Sequence, residues 1–303
     1  MVCIAIRCDL NAQNKTEVSN YPKNGMGKKV YEDGSIYIGN FKDSIPNGKG
    51  KLTDTAGFSY EGDFVNDKFS GYGKVQYANG DKYEGHFEND GKEGKGTFSY
   101  KTGDIYKGEF KNDMIEGVGT ITTKSGWTYT GTWKNNKAEG TGTLVFANGD
   151  TYTGDIKNTA REGKGSMKWV SGNTYTGDWK ADIREGEGTF IWADGSTYVG
   201  TWKNGVRDGN GLSKWKSGSS YDGSWKADKK EGNGVFVFAN GEKYNGDFKN
   251  DEFDGNGIYT LSNDFYYVGT FKNDKEDKVK YYSNKGVELN KADFYKKAGI
   301  YKN

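Results

Sequence analysis

The apolar positions of this chain come in a fixed cluster. In Tyr129-Thr130-Gly131-Thr132-Trp133 two large rings flank a glycine at intervals of two, with polar residues between them. Side chains alternate on a strand, so Tyr129, Gly131 and Trp133 share one face and the threonines the other. Further on, Val145, Phe146 and Tyr152 surround the dipeptide Asn148-Gly149. Asn-Gly between apolar runs is a strong hairpin signal, because a type I′ turn needs positive φ at both central residues. "ANG" at 78–80, 147–149 and 239–241 and "ADG" at 193–195 repeat the signal, while "KTG" and "KSG" elsewhere keep the glycine. The pattern predicts two short strands around each such turn, with the charged stretch of the form KNDxxEG leading to the next pair. A glycine between two rings leaves a hole, which a ring of the neighbouring strand is expected to fill.

The cluster is periodic. Tyr-x-Gly begins at Tyr37, Tyr60, Tyr83, Tyr106, Tyr129, Tyr152, Tyr175, Tyr198, Tyr221, Tyr244 and Tyr267, an unbroken step of 23 residues. A Gly-x-Gly pair keeps the same step from Gly48 and Gly50 to Gly255 and Gly257, with one earlier copy at Gly25 and Gly27. The pair decays to Lys278 and Lys280 in the last repeat. Such self-similarity predicts an all-β, elongated, twisted single-sheet array of about eleven stacked 23-residue β-hairpins. Its expected divisions are an N-terminal extension (1–22), the array (23–277) and a C-terminal cap (278–303). In the last, residues 287–301 read as a short amphipathic helix with Leu289, Phe294, Tyr295 and Ala298 available to cover the final hairpin.

Composition alone points the other way. A mean hydropathy of -0.94 and 28% charged residues resemble a disordered chain. The aromatics reverse that reading, since Phe, Trp and Tyr make up 15% of residues and recur in register. The two prolines fit a chain whose backbone donors are needed in ladders.

"YEGDF" at 60–64, "YKGEF" at 106–110, "YTGTW" at 129–133 and "YVGTW" at 198–202, each followed by Gly-x-Gly and a turn glycine, resemble the membrane occupation and recognition nexus (MORN) repeat. The resemblance covers roughly residues 23–277 and departs at Ile156, which takes the second aromatic position. It implies a scaffold of the kind found in ciliary radial-spoke heads, the protist cytoskeleton and membrane-contact proteins, and a cytoplasmic setting at the cytoskeleton or ciliary axoneme.

Little else suggests chemistry. His86, the single histidine, stands where other repeats carry Asp, Glu or Thr, and reads as a solvated side chain. Gly-x-Gly recurs without a Gly-Lys-Ser/Thr ending, so packing explains it better than a phosphate loop. No twelve-residue calcium loop occurs. The expectation is a non-enzymatic protein with no catalytic residue, cofactor or metal. Cys3 and Cys8 form no disulfide framework and point to a reducing compartment. Either could accept a palmitoyl group, Val2 excludes myristoylation, and an N-terminal strand capping the array is the plainer reading.

Charge weighs on partners. A lysine row (Lys111, Lys134, Lys157, Lys180, Lys203, Lys226) is expected to face an acidic row (Glu116, Glu139, Glu162, Glu185, Asp208, Glu231), and the net charge is +1. Nucleic acid is not expected, and anionic membrane is disfavoured, because both need surplus positive charge. All eight tryptophans lie between residues 127 and 225, and Trp169, Trp192 and Trp215 keep the 23-residue step. Arg161, Arg184 and Arg207 keep it too, and Trp and Arg are the types most enriched at binding hot spots. These six residues are the candidate partner-binding site. The sequence therefore favours a scaffold whose groove receives a helix or peptide of a ciliary or cytoskeletal assembly. A phosphoinositide-dependent membrane tether and a carbohydrate-binding surface repeat protein are the alternatives.

Overall fold

The computed structural model describes residues 21–300; Cys3, Cys8 and the expected N-terminal capping strand lie outside them. The chain divides between Ala147 and Asn148 into two compact bodies. The first runs from β1 (Gly25–Val30) to β11 (Lys137–Val145), the second from β12 (Thr151–Lys157) to β24 (Glu288–Leu289) and the helix α1 (Lys291–Lys297). Within each body every strand pairs antiparallel with its neighbours in sequence, so the fold is an all-β array of hairpins.

The hairpins close at a different place from the one the sequence suggests. β14 (Thr174–Lys180) and β15 (Ile183–Ile191) are joined by two residues, Ala181 and Asp182, both with positive φ (46° and 69°), as a type I′ turn requires. The charged stretch is thus the tight turn. The ANG and ADG segments form wider turns: Trp192 N–H donates to Ser196 O (2.9 Å), Gly195 N–H donates to Trp192 O (2.9 Å), and only Gly195 has positive φ (91°). Asp194 stays on the negative side because its Oδ1 accepts the Ser196 N–H (2.8 Å), closing the turn with a side chain.

The two glycines of Gly-x-Gly have separate causes. In the second body, Gly177 pairs with Gly188 and Trp179 with Arg184, which leaves three residues of β15 opposite Asp178 alone. Gly186, in this bulge, takes φ +68°. Gly188 lies under the Tyr175 ring, where any Cβ would collide with the phenol. The hole beside Gly177 and Gly188 is therefore filled by the tyrosine of the same repeat, on Gly177's own strand and on the strand paired with that of Gly188, not by a ring of the next repeat. Its hydroxyl donates to Asp178 O (2.9 Å), so the ring is fully buried with its polar atom paired.

Rings then interlock along the array. Tyr175 meets Trp179 of its own repeat edge to face (5.2 Å) and Trp202 of the next (5.4 Å). Trp179, Trp202 and Trp225 also donate Nε1–H to Gly165, Gly188 and Gly211 O at 3.2, 3.3 and 3.0 Å, bonding each repeat to the one before.

Candidate functional site

The turns position the candidate residues. Arg161, Arg184 and Arg207 follow the tight turns, where each lies across its hairpin from the second aromatic position. Each guanidinium stacks on the tryptophan of the following repeat: Arg161 on Trp179 (4.3 Å), Arg184 on Trp202 (4.3 Å) and Arg207 on Trp225 (4.0 Å). Arg161 and Arg207 also form ion pairs with Asp182 and Asp228, both through Nε at 2.9 Å. Burial lowers the pKa of the Arg184 guanidinium. Elsewhere the same position carries Phe69 and Phe253, which stack on Tyr60 and Tyr244 at 3.8 Å. The arginine stems and planes therefore help cover the tyrosine layer as well as offering charge.

Seven of the eight tryptophans fall into two classes that sequence does not separate, Trp127 being half-buried at the far end of its wide turn. Trp133, Trp179, Trp202 and Trp225 are core rings. Trp169, Trp192 and Trp215 open the wide turns and are half-buried, with Val170 beside Trp169 strongly exposed. Trp169 and Trp192 both pack on Phe190 (5.5 and 4.6 Å), and Arg184 lies over the same ring at 5.3 Å. Phe190 thus gathers Arg184, Trp169 and Trp192 into one cluster. Trp215 belongs to the next, on Phe236 at 5.7 Å. Phe190 itself was not singled out from sequence. Its spacing, two residues before Trp192 on the same strand face, is the signal that could have found it.

The expected pairing of lysine and acidic rows is corrected by the geometry. Glu116, Glu162, Glu185, Asp208 and Glu231 accept backbone N–H groups of the next tight turn, at Asn135, Ala181, Asn204, Ala227 and Asn250. A carboxylate satisfied there holds consecutive hairpins together. Lys111, Lys134, Lys157, Lys180, Lys203 and Lys226 are exposed and take part in no ion pair among the described residues.

His86 is exposed, with its ring edge against Tyr72 at 5.7 Å. Among the described residues no group of His, Cys, Asp and Glu is placed to hold a metal ion, and no helix is long and apolar enough to cross a membrane.

Comparison with known structures returns the TCP10 domain of Danio rerio CPAP in complex with a peptide of Danio rerio STIL. It has 9% identity and a TM-score of 0.38, covering 87% of this chain and 97% of that one. The SAS-4 (dCPAP) TCP domain of Drosophila melanogaster, in complex with a proline-rich motif of Ana2 (dSTIL), has 13% identity and a TM-score of 0.33, covering 65% and 99%. A virginiamycin B lyase from Staphylococcus aureus scores 0.13 at 12% identity, covering 89% and 85%. At these scores none of the likenesses bears on function. No curated relative matches the chain. The MORN repeat matches at residues 17–36, 37–57, 60–82, 83–105, 106–128, 129–151, 152–174, 175–197, 198–220, 221–243 and 244–264. With eleven consecutive matches, in step with the tyrosines that the structure buries, the chain belongs to the MORN repeat family.

Proposed function

We propose that the protein is a non-enzymatic scaffold whose aromatic face binds a helix or peptide of a larger assembly, in a ciliary or cytoskeletal setting. The observation that carries this reading is the row of half-buried turn tryptophans, Trp169, Trp192 and Trp215, with Arg161, Arg184 and Arg207 on the same face. Large rings that stay partly in water, beside guanidinium groups already stacked and ordered, offer contact area at low entropic cost. The setting rests on the family. A tagged copy that concentrates at cilia or the cytoskeleton and co-purifies with proteins of those assemblies supports it; a diffuse copy with no such partners contradicts it.

One observation favours a second reading, a phosphoinositide-dependent membrane tether. The exposed lysine row takes part in no ion pair among the described residues, so its charges are less compensated than the sequence suggests. Each basic residue near an anionic surface contributes only about 1 kcal/mol, and the carboxylates of the adjoining turns remain close. Binding to phosphoinositide vesicles is expected to be weak at physiological salt. Tight, salt-resistant binding would put this reading first.

A further inference from the structure

Arg161, Arg184 and Arg207 hold equivalent places in three successive repeats, yet they are not equally satisfied. Asp182 Oδ1 receives both the backbone N–H and the Nε–H of Arg161, at 3.0 and 2.9 Å, and Asp182 O receives its Nη2 at 2.9 Å. Asp228 serves Arg207 in the same way, at 3.0, 2.9 and 2.8 Å. The residue that falls opposite Arg184 is Gly205. Its carbonyl accepts Nη2 at 2.6 Å, but it has no carboxylate. The backbone N–H and Nε–H of Arg184 meet no side-chain acceptor among the described residues.

The neighbouring carboxylates are used elsewhere. Glu185 accepts the Asn204 N–H, and Asp178 accepts the Glu187 N–H while its other oxygen pairs with Lys164. Space does not keep an acid out of position 205, and the flanking repeats hold Asp182 and Asp228 in the same left-handed region. Gly205 has φ +82°, against 69° and 68° for Asp182 and Asp228, and a Cβ there would meet only Ile183 Cγ2, at an ordinary 3.7 Å. The result is a charged group with two donors that meet no side-chain acceptor among the described residues, over Phe190, on whose ring Trp169 and Trp192 also pack.

We propose that Arg184 is the anchor for a carboxylate of the bound protein, an aspartate or glutamate side chain that adjoins an aromatic residue, taking the place that Asp182 and Asp228 take in the flanking repeats. This rests on the scaffold reading and names the chemistry of its partner. In Arg161 and Arg207 the N–H and Nε–H converge on one carboxylate oxygen, so the same two donors of Arg184 suit a carboxylate, and the half-buried rings nearby suit an aromatic group beside it.

The test follows the Nε–Hε resonances of the three arginines while acetate, and then N-acetylphenylalanine as its sodium salt, is added at constant ionic strength. The Arg184 signal is expected to shift saturably, at a several-fold lower concentration with the aromatic acid, while Arg161 and Arg207 stay in place. Gly205→Asp should abolish that response without lowering the melting temperature, because it supplies the missing acid from within. The aromatic acid should also raise the melting temperature, and Arg184→Lys, which keeps charge without the planar fork, should abolish that rise. An Arg184 signal that never saturates, equal shifts at all three arginines, or the same shift with sodium phosphate would overturn the proposal. The titration needs no partner. Its failure beside a partner complex that still depends on the tryptophans would remove the anchor and leave the scaffold standing.

Discussion

Thr159 is a β-branched residue held at φ +71° in a tight turn where other repeats place Asp, Asn, Gly or, at Ser44, Ser. Left-handed backbone costs a non-glycine residue on the order of 1–3 kcal/mol, and a branched Cβ is worst placed to bear it. Thr159→Gly is therefore expected to stabilise the fold by about 1 kcal/mol, read as a higher midpoint in denaturant; an unchanged or lower midpoint would mean that the threonine side chain outweighs its strain. Ser213 is a second local misfit. It stands where other repeats carry Phe190, Phe236 or Met167, and its buried hydroxyl has no hydrogen-bond partner among the described residues. Removing an unsatisfied buried hydroxyl recovers roughly 1–3 kcal/mol of desolvation, less the small dispersion attraction of the oxygen, so Ser213→Ala should be neutral or stabilising by thermal melt, and a clear loss would show that the hydroxyl has an unseen role. At this scale the tyrosine, the glycines and the second aromatic were legible because side-chain period and repeat step agree. The two tryptophan classes were not, because strand faces alone do not tell whether an indole N–H meets a carbonyl of the preceding repeat.

Elements show a rule that links distant residues. Nearly every wide turn owns one ring, placed just before it (Tyr77, Tyr100, Phe146, Trp169, Trp192, Trp215, Phe238) or, where that position is Asp54, Thr123 or Leu261, just after it (Phe58, Trp127, Phe265). The last turn, following β23 (Lys275–Tyr282), opens with Ser283 and has none. Helix α1 supplies it. Phe294 is fully buried and meets Tyr281 at 4.9 Å and 47°, close to the 4.6 Å and 50° between Phe190 and Trp192. Asn290 caps the helix by accepting the Asp293 N–H, and Glu276 ties it down through Lys291 at 2.9 Å and the Tyr295 hydroxyl at 3.2 Å. A capping helix was visible in the apolar spacing of 287–301, though it spans only Lys291–Lys297 and Leu289 lies instead in β24, paired with Tyr281; that Phe294 completes a series was not visible, since it reaches the sheet from outside the repeat. Phe294→Ala should cost about 3–5 kcal/mol locally. Because each repeat packs only on its neighbours, hydrogen exchange should quicken in β22 (Tyr266–Lys272) and β23 and leave β14 and β15 protected. Uniform loss of protection, or none, would contradict the capping role.

The molecule as a whole depends on its eleven repeat tyrosines, ten of them buried and the last, Tyr267, half-buried. Burial raises the pKa of every repeat tyrosine, to about 12 for Tyr37, Tyr152 and Tyr198. The unfolded value is near 10, so above it the unfolded chain loses phenolic protons that the fold retains. This stability is fully present below about pH 10 and is lost as pH rises through the folded values. Alkaline unfolding should begin between about pH 10 and 12, with tyrosinate absorbance and loss of strand signal rising together; tyrosinate that forms well before unfolding would show the rings to be solvated. The array itself was the most legible level, since a 23-residue step with aromatics in register leaves few alternatives to stacked hairpins. Turn assignment was less so, because Asn-Gly, Asn-Asp and Ala-Asp compete for the tight turn and only the side-chain bonds across repeats decide between them. The central claim, that the turn tryptophans meet a partner while the others build the core, is tested most directly by comparing two triple variants in affinity measurements with a co-purified partner. Replacing Trp169, Trp192 and Trp215 by Phe should weaken the complex at least tenfold, about 1.4 kcal/mol, with little change in melting temperature. Replacing Trp179, Trp202 and Trp225 by Phe removes three inter-repeat hydrogen bonds and should lower the melting temperature instead. Binding indifferent to the first set of substitutions would contradict the account.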